Sequence, residues 1–480
     1  MKLIFNLIII YFFLSSHSFA NKGYIIEFVE WLNANKLYDY LDTKVKLGPK
    51  YRDTSGKTQN FDWSKCDTFY KPTFCYDENG LIIEERRKEA DAELEHFYPN
   101  INFKIPKKYF DRIPWDAKPS QAQLLYRVFH LIEDDKGWSK ANILPTSKPY
   151  EFIFDLKKEN KLIHKKMEKT GLLSYLMFED GKITIDEITP VNKYGLLFKN
   201  DTKWTSASVG KSIVSYVTGQ AICDGYIDSV DVNLSDWSLL QNTLFENVTL
   251  INLLNMSAGD QKLAKNNLKK GKGRERNPNL NTIEYHMKGI FKGTEPGQNK
   301  YNYSNLVPNI ILNYIWFKSD GNFNKLLDKV FNQKAKIKNE VFFLKQNFRT
   351  VRNKYPVTDE SGPLRYSFRA DRYDFLRIAK AMMEDWQNDT CVGKYLKEIN
   401  DRKIIKNLKY TSNFTAFSYS RSYGGLFHLN FPGFKNRNIF ALDGAYGQSI
   451  IIDMDRSKII VINAAHEAYN WSKIALGALK

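Results

Sequence analysis

Apolar and polar positions divide the chain into recognisable elements only after about Phe154. The stretch "DLKKENKLIHKKMEKTG", Asp155 to Gly171, reads as a helix. It leads into "LLSYLMFEDGKITIDEI", Leu172 to Ile188, which reads as two strands joined at Asp180-Gly181 and so as a hairpin. "KSIVSYVTGQAICDG", Lys211 to Gly225, is helical, with Ile213, Val217 and Ile222 among its apolar positions and Gly225 as its stop. Further helices follow in the middle third, including "LRIAKAMMEDW" from Leu376. The end returns to strands in "YGGLFHLNF", "SIIIDM" and "KIIVINAA", with a terminal helix from Glu467. Strands, then helices, then strands predict an α+β (mixed α/β) domain: an antiparallel sheet built from both ends, flanked by helices, with a helical insertion between. Residues 21 to about 150 show no clean periodicity, as in "NINFKIPKKYFDRIPWDAKPS" from Asn100 to Ser120, and carry no functional assignment.

The 480 residues, 43% of them hydrophobic and 14% aromatic, are enough for a large core and two to three units. The division expected is a signal peptide over 1–20, an N-terminal extension over 21–150 and the strand–helix–strand domain over 151–480. Lys2, the apolar run Leu3 to Leu14 and the small residues around Ser18-Phe19-Ala20 form an export signal, with the mature chain starting near Asn21. The run is shorter than the roughly 20 residues a spanning helix needs. Export to the periplasm or medium, without membrane insertion after cleavage, is therefore expected. A formal charge of +17 raises nucleic acid as a partner, but lysine is spread along the chain and no basic stripe is interleaved with aromatics. The densest run, "KLAKNNLKKGKGRER" from Lys262 to Arg276, reads as a solvated loop that borders the active-site mouth at most. Four cysteines permit two disulfides in an exported protein. Cys66 and Cys75 can close a short loop, whereas Cys223 and Cys391 either pair or stay as buried thiols. No His/Cys cluster has metal-ligand spacing, so no metal or cofactor is implied.

The chemistry concentrates in "TSASVGKS", Thr205 to Ser212. Its end matches a phosphate-binding loop, but that loop needs a glycine where Thr205 stands. The same letters hold Ser208-Val209-Gly210-Lys211. A serine hydroxyl is a poor nucleophile without a base, and a lysine three residues on shares its helix face. Lys211 must be neutral to serve as that base, which burial promotes. At the helix start, the Ser208 amide also lies among NH groups that favour negative charge. A second segment, "EPGQNKYNYSN", Glu295 to Asn305, places Tyr303 and Asn305 two residues apart on one side of an extended loop. Tyr303 suits proton relay to a leaving group, and Asn305 suits holding Lys211 or substrate.

Together these residues resemble the serine β-lactamase-like superfamily, in particular its class C β-lactamase, esterase and 6-aminohexanoate-dimer hydrolase branch. The resemblance covers about residues 154 to 480. Ser208-x-x-Lys211 is similar to the nucleophile motif and Tyr303-Ser304-Asn305 to the Tyr-x-Asn motif. "VTLINLLNMSAG", Val248 to Gly259, is similar to the segment between them, and "LDGAYGQSIIID", Leu442 to Asp453, to the third motif and its strand. In β-lactamases and penicillin-binding proteins that strand carries Lys-Thr-Gly; here Leu442-Asp443-Gly444 stands in its place. An Asp443 carboxylate repels the carboxylate that such a lysine attracts. The resemblance implies an exported serine hydrolase acting on a small ester or amide through an acyl-enzyme on Ser208, with Ala445 NH joining Ser208 NH as an oxyanion hole. The alternatives are a β-lactamase or D-alanyl-peptidase, and a non-catalytic envelope protein that keeps the fold. Natural substrate and oligomeric state are not specified by these residues.

Overall fold

Asp180-Gly181 turns the chain as its letters demand. Glu179 pairs with Lys182, leaving the two residues between them as the turn. Their φ values of 49° and 83° are the left-handed pair that a type I′ hairpin uses. The structure, a computed structural model, describes residues 139–156, 160–190, 194–195, 198–260, 283–345, 362–406 and 415–480, with Val128, Leu131 and the backbone of 51–52 and 58–59. The signal segment, Cys66, Cys75 and the basic run from Lys262 to Arg276 lie outside the described residues. Contacts group the chain into two units, residues 1–128 with 189–199, and residues 129–188 with 200–480. In the first, Tyr51–Arg52 pairs antiparallel with Thr58–Gln59.

In the second unit the strands are β1 (Ser139–Ile143), β2 (Ile153–Phe154), β3 (Leu172–Glu179), β4 (Lys182–Ile188), β5 (Trp204–Thr205), β6 (Val341–Lys345), β7 (Leu364–Ala370), β8 (Ile404–Ile405), β9 (Ser422–Gly424), β10 (Phe427–Leu429), β11 (Ile439–Gly444), β12 (Gln448–Asp453) and β13 (Lys458–Ala464). The main helices are α1 (Lys161–Lys169), α2 (Val209–Cys223), α3 (Leu250–Leu254), α4 (Val307–Lys318), α5 (Phe323–Asp328), α6 (Arg372–Gln387), α7 (Cys391–Asp401), α8 (Ala416–Tyr419) and α9 (Trp471–Ile474). Nine strands form one sheet in the order β8-β9-β10-β11-β12-β13-β3-β4-β2, antiparallel except where β2 runs parallel to β4. The β13–β3 ladder joins the last strand to the first long one, so the sheet is closed by both ends of the domain. Ile163 and Met167 of α1, with Trp471 and Ile474 of α9, bury one face over Tyr175, Ala441, Ile451 and Ile460. Helix α6 lies against β12 and β13, and α2 lies against β11.

Three features depart from the sequence reading. A second sheet, β1-β6-β7-β5, places its central strands β6 and β7 inside the segment expected to be helical, and draws its edge strands from Ser139–Ile143 and Trp204–Thr205 upstream of that segment. "YGGLFHLNF" is two strands, because Gly425 and Leu426 both adopt left-handed backbone, with φ of 57° and 66°. That turn is fixed from outside: Gly425 N donates to Asn255 Oδ1 at 3.0 Å and Leu426 N to Leu254 O at 2.8 Å. The terminal helix starts at Trp471 and not at Glu467, with Asn470 accepting from Lys473 N as its cap.

Cys223 and Cys391 form a disulfide across a sequence separation of 168 residues, joining the end of α2 to the start of α7. Closing so long a loop restricts the unfolded chain, so Cys391→Ser is expected to cost about 2 to 5 kcal/mol of stability. Denaturant unfolding of variant and reduced wild type should show the same loss, and an unchanged midpoint in both would contradict it.

Candidate active site

The turn before α2 is built around close approaches. Ser206 N donates to Phe368 O at 2.9 Å and Phe368 N donates to Ser206 Oγ at 2.8 Å, which stitches the turn to β7. Ala207 then sits at φ 44°, a left-handed conformation that a non-glycine residue adopts at a cost of about 1 kcal/mol or more. The chain thereby delivers Ser208 to the N-cap of α2, with helical geometry beginning at Val209. Gly210 has no room for a side chain, since a Cβ there would lie 2.0 Å from Tyr366 O. This glycine serves helix-to-strand contact. The Ser212 hydroxyl donates to Leu426 O at 2.6 Å and is buried, so the tail of "TSASVGKS" is not arranged as a phosphate cradle.

Lys211 points back over the helix start and is 1% exposed. Its Nζ lies 2.8 Å from Ser208 Oγ, 2.9 Å from Tyr303 Oη, 2.6 Å from Asn305 Oδ1 and 3.3 Å from Tyr366 Oη. Burial alone holds its amine well below the ordinary lysine value. The rings of Tyr303 and Tyr366, 4.4 and 4.3 Å from Nζ, favour the cation, but that attraction is worth about 1–2 kcal/mol and is the smaller effect. Burial raises Tyr303 above the ordinary phenol range, and the neighbouring Tyr366 and Asp443 add to this against a hydrogen bond with Ser208. Tyr303 is therefore a neutral phenol at neutral pH.

Tyr303-Ser304-Asn305 is set by its neighbours. Asn302 N donates to Met256 O at 2.7 Å, and Gly259 at φ 74° packs so closely on Gly297 that a Cβ would lie 2.5 Å from Gly297 N. The segment Val248 to Gly259 thus braces the loop from Glu295 to Asn305. Ser304 turns the other way and is buried, accepting at Oγ from Leu306 N and Val307 N near the start of α4. Tyr303 and Asn305 consequently reach Lys211 from one side, as the period of two anticipates.

The third strand comes to the same place. A Cβ on Gly444 would sit 2.6 Å from Ser206 O and 3.1 Å from Ser208 N, so only glycine allows β11 to touch the serine turn. Ala445 follows directly. Asp443 points to the opposite face of the strand from Gly444. Its Oδ2 accepts from Phe417 N at 2.8 Å, it is 7% exposed, and burial raises its pKa to about 6. The structure therefore joins Ser208, Lys211, Tyr303, Asn305 and Gly444 in one site and places the Asp443 carboxyl behind it, where it acts through its field. Lys406, next to Asp443, is fully buried, burial lowers its pKa to about 7, and its amine donates to Phe417 O and Ser420 Oγ, both at 2.6 Å. Tyr366 was not picked out in the sequence. It lies on β7, its N donates to Asn309 Oδ1 at 2.9 Å, and its Oη donates to Asn305 Oδ1 at 3.3 Å. Only the alternation of "LRYSFRA" marks its strand.

No protein-family model matches this chain, and no curated protein matches it. Solved structures do. A Bacillus anthracis protein assigned as a 6-aminohexanoate-dimer hydrolase aligns with a TM-score of 0.51 at 13% identity, over 74% of this chain and 93% of that one. A penicillin-binding protein from Bacillus halodurans aligns with a TM-score of 0.45 at 17% identity, over 67% of this chain and 100% of that one. An octameric penicillin-binding protein homologue from Pyrococcus abyssi gives 0.46 at 15% identity, over 66% of this chain and 74% of that one. All are of the superfamily that the sequence motifs resemble. At such identities the likeness is one of fold: the chain has the β-lactamase/transpeptidase-like fold.

Proposed function

We propose that the chain is an exported serine hydrolase that cleaves a carboxylic ester or amide through an acyl-enzyme on Ser208. The observation that carries this reading is a single one: a buried lysine amine, its pKa lowered by burial, lies 2.8 Å from the hydroxyl of a serine at a helix N-terminus. A buried lysine with no carboxylate partner among the described residues is costly to charge. Beside a serine hydroxyl it is a base.

In the proposed reaction Lys211 Nζ takes the Ser208 hydroxyl proton as Oγ forms its bond to the substrate carbonyl carbon. The carbonyl oxygen gains the negative charge and is met by the NH groups of Ser208 and Ala445. The Tyr303 phenol gives its proton to the departing alkoxide or amine and recovers one from Lys211, which leaves the lysine neutral again. Water then attacks the acyl carbon, its proton follows the same route to Ser208 Oγ, and the acid is released. Asn305 Oδ1 keeps Lys211 Nζ aimed between serine and phenol.

The third motif favours substrates without a carboxylate at that strand. Leu442 is fully buried, Asp443 contributes negative field, and the Lys406 amine is engaged at Phe417 and Ser420. Short neutral p-nitrophenyl esters or amino-terminated amides are accordingly expected to show a higher kcat/KM than nitrocefin or penicillin. Measurement of all of them on one preparation at two salt concentrations separates a contact at the strand from attraction by the charged run Lys262 to Arg276, since screening acts over about 8 Å at physiological salt. Efficient lactam turnover at both salt concentrations would shift the reading to a β-lactamase.

A further inference from the structure

Glu467 follows β13, is 2% exposed, and belongs to none of the four motifs. Its Oε1 accepts from Tyr446 N at 2.6 Å. Tyr446 is the middle residue of the turn Ala445–Gly447 between β11 and β12, and it sits at φ 69°, a left-handed conformation that tyrosine does not favour. The same segment of chain holds the rest of the turn. Tyr469 Oη donates to Gly447 O at 2.9 Å, and a Cβ on Gly447, itself at φ 88°, would lie 2.5 Å from the Tyr469 ring. Ala445 is thereby held on both sides, by Gly444 packed against the Ser208 amide and by the peptide plane between Ala445 and Tyr446 pinned through Glu467.

We infer that Glu467 is a positioning residue for the oxyanion hole, fixing the turn that aims the Ala445 NH at the carbonyl oxygen of a substrate bound on Ser208. The inference rests on the serine hydrolase reading for its catalytic consequence, but the anchoring itself does not. A buried carboxylate-to-amide hydrogen bond is stronger than a neutral one and holds a backbone conformation that would otherwise relax. Loss of the anchor leaves Ser208, Lys211 and Tyr303 in place and lets the hole open. The effect should fall on the transition state, where charge reaches the carbonyl oxygen, and not on ground-state binding.

The test uses the mature protein and two variants, Glu467→Ala and Glu467→Gln, the second of which keeps an acceptor oxygen. With p-nitrophenyl butyrate, Glu467→Ala should lose about 10²-fold in kcat, as for a misplaced oxyanion donor, with KM within about threefold of wild type. Glu467→Gln should recover most of that loss. In parallel, hydrogen exchange of the Tyr446 amide in the resting protein should speed up by about tenfold or more in Glu467→Ala and stay slow in Glu467→Gln. A Tyr446 amide that exchanges as fast in wild type as in Glu467→Ala overturns the anchor whatever the activity. A Glu467→Ala enzyme with wild-type kcat, or one whose loss is entirely in KM, overturns the positioning role. If exchange changes as expected while Ser208→Ala is as active as wild type, the anchor stands and the serine hydrolase reading falls.

Discussion

Ser208→Ala is expected to abolish turnover of every ester and amide substrate while the protein keeps its fold. Among the described residues of the site, the Ser208 hydroxyl lies 2.8 Å from the buried Lys211 amine, and on the proposed reading its loss removes both the acyl acceptor and the proton that Lys211 takes. In serine hydrolases as a class, removal of the nucleophile costs on the order of 10⁶ in kcat, and what remains is background assisted by the oxyanion hole. Nothing in the packing opposes the change. Ser208 is the N-cap of α2 but makes no side-chain cap hydrogen bond, so the helix loses no support. Circular dichroism and thermal unfolding should match wild type, and a folded Ser208→Ala protein that turns over at the wild-type rate would refute the nucleophile.

The second large effect belongs to Lys211. Lys211→Ala should lower kcat by roughly 10² to 10⁴, the range for loss of a general base. Its pH dependence carries more information than the size of the loss. The amine works only when neutral, so kcat/KM should rise with pH through the Lys211 pKa. Burial places that rise well below the ordinary lysine value of about 10.4. The sign of the stability effect follows from the same shift. Between the lowered value and the ordinary one, the unfolded chain binds the proton that the folded chain refuses, so this group's contribution to stability grows as pH rises through that window. Lys211→Ala should remove both dependences together. A variant that keeps wild-type activity would move the base to Tyr303, whose neutral phenol makes it a poor candidate for that role.

The parts of this site that were legible in the sequence are those whose chemistry is local. Ser208 and Lys211 are one helical turn apart, and Tyr303 and Asn305 share a side of one extended loop, so spacing alone places each pair. Asp180-Gly181 announced its hairpin because both residues tolerate left-handed backbone. Gly425-Leu426 did not, because leucine at φ 66° is imposed by Asn255 and Leu254 from elsewhere in the fold. The order of the motifs, with strands at both ends, was sufficient for the main sheet. The second sheet was missed because β6, VFFLK, is a short apolar run that periodicity alone does not separate from buried helix, and β7 alternates over only seven residues in a helical stretch. With them went Tyr366, the fourth oxygen around Lys211. Asp443 stands in the third motif of the sequence, but its direction depends on strand pleat, which turns the carboxyl to Phe417 when Gly444 faces Ser208. The pairing of Cys223 with Cys391 joins two helix ends 168 residues apart, and spacing left it open.

The central claim is that Ser208 is a nucleophile made reactive by a neutral Lys211. Treatment of the purified protein with a fluorophosphonate, followed by intact mass and mapping of the modified peptide, tests it most directly. The account predicts one adduct per chain, on the peptide that holds Ser208, absent in Ser208→Ala and formed much more slowly in Lys211→Ala. No adduct on the folded wild-type protein, or an adduct on another residue that survives Ser208→Ala, would contradict it.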